Sequence, residues 1–386
     1  MKFVRLLLKN LLRNKRRTIL TVSSIAVSLF LVATLQTILS ELQNPPETPD
    51  SALRMIVRHK VSLFNALPQA HLDRMAQIEG VEAVVGSMWF GGVYKDPANF
   101  FASFSTDTDG FFTIYSDLEL PDEQKEAFKA NRTGCIVGGT LADRFDWKLG
   151  DRIFLESNAW PVEVELTIEG IYQGGSDDGT TLYLQREYWN ELMKEQMGGE
   201  WDMVGTFNLR VRSPEDLARV ASEIDEMFRN SSFPTKTETE KSFLLNMVSM
   251  LGDVQLFITS IVSVVIFTIL LVAANTMAMS IRERTREIGI LKALGFTRRL
   301  VLMLLVGEAL FLSLGGALLG SWTARLIYSS INMTQITGGF IQRFYVTPET
   351  LLLCAAIGLF VGLFSAGFPA WQASRKSVVD ALRRVV

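Results

Sequence analysis

Read along its 386 residues, the chain alternates between two textures. Four stretches are apolar almost throughout: residues 18–39, 254–280, 300–326 and 351–371. Each is about 20 residues or longer, the length at which a helix crosses the ~30 Å hydrocarbon layer of a bilayer. The second, VQLFITSIVSVVIFTILLVAANTMAMS, carries no charge. Four transmembrane helices are expected, over 18–40, 251–280, 300–327 and 350–372. Residues 41–250 read differently, with strand-like alternation and helical periodicity interleaved.

That long segment opens on NPPETPD at 44–50, where three prolines forbid regular structure and predict a linker. A helix is expected over 71–78, ended at Gly80, and strands over 81–85, 135–137, 152–155, 162–171, 180–184 and 206–211. A second helix is expected over 214–229. Ser213 would cap it, Pro214 sits in its first turn, and Leu217, Val220, Ile224 and Phe228 share one face. The fold class that follows is a membrane α-helical protein of four spans. A mixed α+β extracytoplasmic domain with an insertion of its own lies between helices 1 and 2.

Charge orients the spans. Residues 1–17 hold seven basic residues (Lys2, Arg5, Lys9, Arg13, Lys15, Arg16, Arg17) and no acid. The 281–299 loop carries Arg282, Arg284, Arg286, Lys292, Arg298 and Arg299 against Glu283 and Glu287, and the 373–386 tail carries Arg375, Lys376, Arg383 and Arg384. By the positive-inside rule these three segments are cytoplasmic. The 41–250 domain and the short 328–349 loop then lie outside. The 41–250 segment has 19 Lys and Arg against 35 Asp and Glu, a net of −16, while the remainder nets +13. Nucleic-acid binding would want the reverse, a basic soluble domain. The first apolar run has the basic start of a signal peptide but too long a core and no A-x-A-like site before Glu41, which favours a retained anchor. Cys135 falls in the outside domain and Cys354 in a span, so they cannot pair within one subunit.

Catalytic constellations are missing. His59 and His71 are the only histidines, and no H-E-x-x-H, G-x-S-x-G or paired cysteines occur. Asp107/Asp109 and Asp177/Asp178 are acidic pairs beside glycine, readable as turns or as cation holders, and GGSDDG at 174–179 reads as a flexible loop. Trp89, Phe90, Phe100, Phe101, Phe111 and Phe112 suit either core packing or an apolar contact surface. There is no G-x-x-x-x-G-K-[ST] to cradle ATP phosphates. No cofactor or metal is expected on this chain, and neither is a catalytic role.

The crowded charge at 281–299, IRERTREIGILKALGFTRR, is the most distinctive feature of the membrane half. Ile281, Ile288, Leu291 and Leu294 recur at helical spacing, Glu283/Arg286 and Arg284/Glu287 stand at i,i+3, and Gly295 is placed to end the helix. A short amphipathic helix against the bilayer is expected, either lying passively on lipid headgroups or docked on a protein. The interposed Glu283 and Glu287 repel anionic lipid and favour a protein partner that needs charge matching. Residues 3–12 suggest a further amphipathic stretch on the inner membrane surface. Gly316/Gly320 and Gly358/Gly362 are G-x-x-x-G pairs, open to packing within the chain or across a dimer. Glu308, about two turns into the third span, must face protein or the interface, and an Arg of the loop or of the N-terminal segment is its expected partner.

These residues resemble a family. The run ER-TREIGILKALGFTRR, then Glu308, then GGALLG at 315–320, looks like the signature of FtsX/MacB-type ABC transporter permeases. The opening LLRNKRRT at 11–18 and the closing FPAWQASR at 368–375 with Ala381, Leu382 and Arg383 are similar to that family's ends, although Val378 or Val379 stands near its usual second proline. The resemblance implies a permease of the inner (plasma) membrane that works by mechanotransmission. It would dimerise with an identical or paralogous permease subunit and bind a cytoplasmic ABC ATPase that carries the ATP and Mg²⁺. A periplasmic adaptor of membrane-fusion type is a further implied partner, membrane lipid surrounds the spans, and nucleic acid has no part. Residues 284–295 would be the coupling helix. The alternatives are a non-transporting regulator of an outside enzyme and a membrane receptor. The receptor lacks an inner output domain.

Overall fold

The computed structural model describes residues 14–44, 47–177, 179–250, 252–331 and 344–375. Several expectations lie outside these residues: those on 3–12, Pro45, Pro46, Asp178, Lys376, Val378, Val379 and the Ala381, Leu382, Arg383, Arg384 tail. The chain divides into two units. One gathers residues from the two ends of the chain together with 252–331, and the other is built around residues 43–251.

Among the described residues the first unit holds four helices long and apolar enough to cross a membrane, Lys15–Gln43, Val254–Glu283, Arg298–Ser330 and Pro348–Arg375. All four run past the apolar stretches at one or both ends. Their hydroxyls are satisfied locally, as hydrocarbon requires: Thr37 donates to the Ala33 carbonyl at 2.8 Å and Ser321 to that of Ala317 at 2.8 Å. The seam between helices is apolar, with Ile25, Leu29, Val262, Ala317, Cys354 and Val361 in one buried cluster. Small residues set the approach distance. A Cβ on Gly320 would lie 2.2 Å from the Ala26 carbonyl oxygen, and one on Gly316 would lie 2.8 Å from Ile25 Cβ. On the fourth helix a Cβ at Gly358 would lie 2.7 Å from Ala317 Cβ, and one at Gly362 would lie 2.3 Å from Ser313 Oγ. Both G-x-x-x-G pairs thus face spans of the same chain, the first and the third.

The second unit is mixed α+β. Its strands are β1 (Arg54–His59), β2 (Leu67–Pro68), β3 (Val81–Trp89), β4 (Gly92–Val93), β5 (Ser103–Thr106), β6 (Leu118–Glu119), β7 (Gly134–Gly138), β8 (Arg152–Ser157), β9 (Glu163–Gly174), β10 (Leu182–Gln185), β11 (Met203–Val204), β12 (Thr206–Val211) and β13 (Thr235–Thr239). The main sheet runs β13-β1-β12-β3-β5-β10-β7-β9-β8-β4. Its first four strands, all antiparallel, with helices His71–Ala76 and Asp216–Phe228, form a split β-α-β arrangement. Met55, Val57, Phe207, Leu209, Val220 and Ile224 fill its core. The chain from residue 90 to residue 205 is inserted between the second and third strands of that half. It carries its own core, where Phe90, Phe101, Trp189, Leu166 and Leu184 are fully buried. β3 joins the halves, pairing with β12 through Ser87 and with β5 from Ser87 to Trp89.

Several local expectations change. The strand expected to end at 85 continues to Trp89, because Gly86 leaves room beside it for Gln69 and Val204. The strand expected from 180 starts at Leu182, since the Thr180 hydroxyl donates to the Asp177 carbonyl and closes a turn. The helix expected over 214–229 is Asp216–Phe228, and Ser213 does not cap it: its hydroxyl goes to the Asp216 carboxylate at 2.9 Å.

Candidate functional site

The second span does not stop where its apolar run stops. Its helix continues through Ile281, Arg282 and Glu283, and the backbone breaks at Arg284 (φ −99°, ψ 12°). A separate helix, Thr285–Ala293, follows at once. Gly295, at φ +93°, ends it in the left-handed region that favours glycine. There the Gly295 N–H donates to the Lys292 carbonyl at 3.0 Å and the Phe296 N–H to that of Leu291 at 3.1 Å, a Schellman closure.

The inner side of this loop is held at several points. Ile281 and Ile288 pack with Val301 and Leu305 of the third span and Ala370 and Ala373 of the fourth. Arg284, 8% exposed, donates from Nη1 to Glu308 Oε1 at 3.0 Å and Oε2 at 2.8 Å, and Glu308 is 5% exposed. Glu283 accepts from Arg17 of the first span at 2.6 Å. Lys292 Nζ donates to the Ser374 carbonyl of the fourth helix at 2.5 Å. Burial, helped by nearby Arg298, holds the Lys292 ammonium below its usual pKa. The carboxylate of Glu283 thus accepts from Arg17, and the guanidinium of Arg284 donates to Glu308, long-range partners that the i,i+3 spacing does not show.

The expected apolar stripe divides. Ile281 and Ile288 are buried and Leu291 is partly so, but Leu294 is 72% exposed. The reason is geometric: each three-residue step falls about 60° short of a full helical turn, so repeated i,i+3 steps walk off the face. Leu294 instead lines up at i,i+4 intervals with Ile290, 46% exposed, and the exposed Arg286. Ile290 was missed because the stripe was counted from Ile281, across the break at Arg284. Glu287 and Leu291 flank this outer ridge and are half-buried.

In the other unit Asp107 and Asp177 are engaged. Asp107 accepts the Gly86 N–H at 2.7 Å and pairs with Arg186, and Asp177 accepts the Tyr172 hydroxyl at 2.5 Å. Among the described residues no group of three or more His, Cys, Asp or Glu is arranged to hold a metal. Phe90, Phe101 and Phe111 are fully buried, and Trp89, Phe100 and Phe112 are partly so.

Residues 18–227 match the MacB-like periplasmic core domain family, and residues 259–378 match the FtsX-like permease C-terminal family. An uncharacterized ABC transporter permease of Methanocaldococcus jannaschii is 23% identical over 97% of this chain and 96% of its own length. The macrolide export ATP-binding/permease protein MacB of Bdellovibrio bacteriovorus is 25% identical over 47% of this chain and 28% of its own length. The solved extracellular domain of the noncanonic ABC-type transporter YknZ, from Gram-positive bacteria, superposes with a TM-score of 0.35 at 12% identity, over 48% of this chain and 98% of that one.

Proposed function

We propose a mechanical role for this chain, which belongs to the MacB/FtsX-type ABC transporter permeases. A separate cytoplasmic ABC ATPase docks on the outer ridge of the Thr285–Ala293 helix, and ATP-driven closure of the ATPase moves that helix. The spans carry the motion to the outside domain, whose substrate is exported or lifted from the membrane's outer surface. The macrolide-export name of one relative supports the efflux form of this reading; release of a lipid-like or lipoprotein substrate is the other form. A second permease subunit completes the assembly, in the inner (plasma) membrane with both termini cytoplasmic. An adaptor on the outside domain suits the efflux form.

The observation that carries this reading is the two-sidedness of the loop helix. Its inner side packs through Ile288 on the third and fourth spans and is tied by Lys292 to the fourth, while Arg284 at the break and Glu283, the last residue of the second span's helix, tie the chain just before it to the third and first. Its outer side presents Arg286, Ile290 and Leu294 to the surroundings. Two apolar side chains beside one charge, on a rigidly mounted helix, are the makings of a hot spot in a partner's groove. A push on that ridge reaches all four helices.

The test is copurification. The detergent-solubilised chain taken from its native membrane should bring an ABC ATPase with it, and Leu294→Asp, Leu291→Asp or Glu287→Arg should release it. Absence of any ATPase, or survival of the complex through all three changes, overturns the reading.

A further inference from the structure

Two arginines stand opposite each other where the outside domain joins the chain leading to the spans. Arg54 on β1 and Arg210 on β12 are register partners in adjacent strands. Like charges at that position repel, so each needs acids, and both find partners in the same turn of the inserted half. Arg54, 1% exposed, donates from Nη1 to Asp117 Oδ1 at 2.6 Å, from Nε to Glu240 Oε2 at 2.5 Å and from Nη2 to Ser176 Oγ at 2.9 Å, and its guanidinium lies 5.0 Å from the centre of the Tyr115 ring. Arg210 donates to Ser116 Oγ at 2.6 Å, Asp50 Oδ1 at 2.7 Å and Glu82 Oε2 at 3.1 Å.

Apart from Glu82 on β3, these partners come from three parts of the chain. Asp50, with Thr48, belongs to the segment arriving from the first span, and Thr48 Oγ1 itself donates to Asp117 Oδ2 at 2.9 Å. Glu240 opens the helix Glu240–Met250 that leads to the second span, and the next residue, Lys241, pairs with Glu47 at 2.7 Å. Tyr115, Ser116, Asp117 and Ser176 belong to the inserted half. Ser176 closes the ring by donating to Glu240 Oε1 at 2.8 Å. Burial works against the charge on Arg54, but Glu240 together with the other groups around it, Asp117 among them, outweighs burial and raises the pKa, so the guanidinium stays protonated.

A buried ion network is a weak source of net stability, because desolvation offsets most of the Coulomb gain. It does fix geometry. We propose that Arg54, seconded by Arg210, is a positioning residue that makes the inserted half follow movement of the two span-connected segments; without it, that movement stops at the split β-α-β half. This rests on the mechanical reading of the chain.

The test uses the full chain in lipid nanodiscs with its copurified ATPase. Spin labels go on cysteines introduced at exposed positions, Ser249→Cys with Ser222→Cys for the root helix, and Glu123→Cys with Ser222→Cys for the inserted half; Cys135 and Cys354 are buried and stay unlabelled. Distances are measured by pulsed EPR with ADP and with ATP plus Mg²⁺ and vanadate. In the parent both distances should change with nucleotide. Arg54→Met, and the gentler Asp117→Asn as a guard against misfolding, should keep the 249–222 change and lose most of the 123–222 change. If either variant folds and the inserted half still moves as in the parent, Arg54 is not the positioning residue. If the parent itself shows no change at 249–222, the mechanical reading fails and this inference falls with it.

Discussion

Arg284 closes on Glu308 with both carboxylate oxygens, at 3.0 and 2.8 Å, and both side chains are almost fully buried. The pair pins the break between the second span and the loop helix to the third span. Removing one partner breaks a buried ion pair, which costs about 3–5 kcal/mol. Glu308→Ala should therefore lower the thermal midpoint of the purified protein in detergent markedly. The apolar pair Arg284→Met with Glu308→Leu should recover most of the loss, because it removes the desolvation penalty together with the attraction.

The loop helix should respond to substitution by side, not by residue type. Ile288→Asp puts a carboxylate into the cluster with Val301 and Ala370 and should destabilise the chain by several kcal/mol, as burying an unpaired charge does. Ile290→Asp, two residues away and 46% exposed, should change stability by about 0.5 kcal/mol or less. It should nevertheless cut ATPase binding at least tenfold. Thermal unfolding and quantified copurification, run on the same preparations, read the two effects apart.

The glycines of the third span should differ sharply from neighbour to neighbour. A Cβ at Gly320 would meet the Ala26 carbonyl at 2.2 Å, whereas nothing lies within 4 Å of one at Gly315. Gly320→Ala should cost ~1–3 kcal/mol by forcing the first and third helices apart. Gly315→Ala should be neutral or stabilising by up to about 1 kcal/mol through helix propensity. Thermal midpoints in one detergent decide this.

Acid should loosen the root of the outside domain. The hydrogen bond from Arg210 holds the Asp50 carboxyl below its ordinary pKa of 3.8, against a smaller opposing effect of burial. A depressed pKa in the folded state means that the contribution is present above 3.8 and is lost as pH falls through the lower folded value. The stability difference between the parent and Asp50→Asn should stay constant well above 3.8 and shrink as pH falls below it. A difference that grows on acidification would contradict the assignment.

Most of the architecture was readable from the chain. Four uncharged or nearly uncharged runs cannot be anything but buried in protein or lipid, and the proline cluster and interleaved periodicities marked out the α+β domain with its insertion. That Glu308 needs an Arg of the loop or of the N-terminal segment followed from the cost of an acid in hydrocarbon, and only the fold singles out Arg284. What escaped was what depends on phase and distance. Steps of three put Leu294 on one face with Ile288, which the structure separates, and a count from Ile281 across the break at Arg284 passes over Ile290. The G-x-x-x-G pairs said that helices approach closely but not which ones. The ring around Arg54 was invisible, since residues 54, 117, 176 and 240 share no local pattern; only the fold brings them together.

The central claim is that nucleotide turnover on a separate subunit reaches the outside domain through the ridge of Arg286, Ile290 and Leu294. Hydrogen exchange of the nanodisc complex, compared with ADP and with ATP plus Mg²⁺ and vanadate, tests it directly at the helix Glu240–Met250. A nucleotide-dependent change there in the parent that disappears in Leu294→Asp is the predicted result. No change in the parent, or the same change in Leu294→Asp, would contradict it.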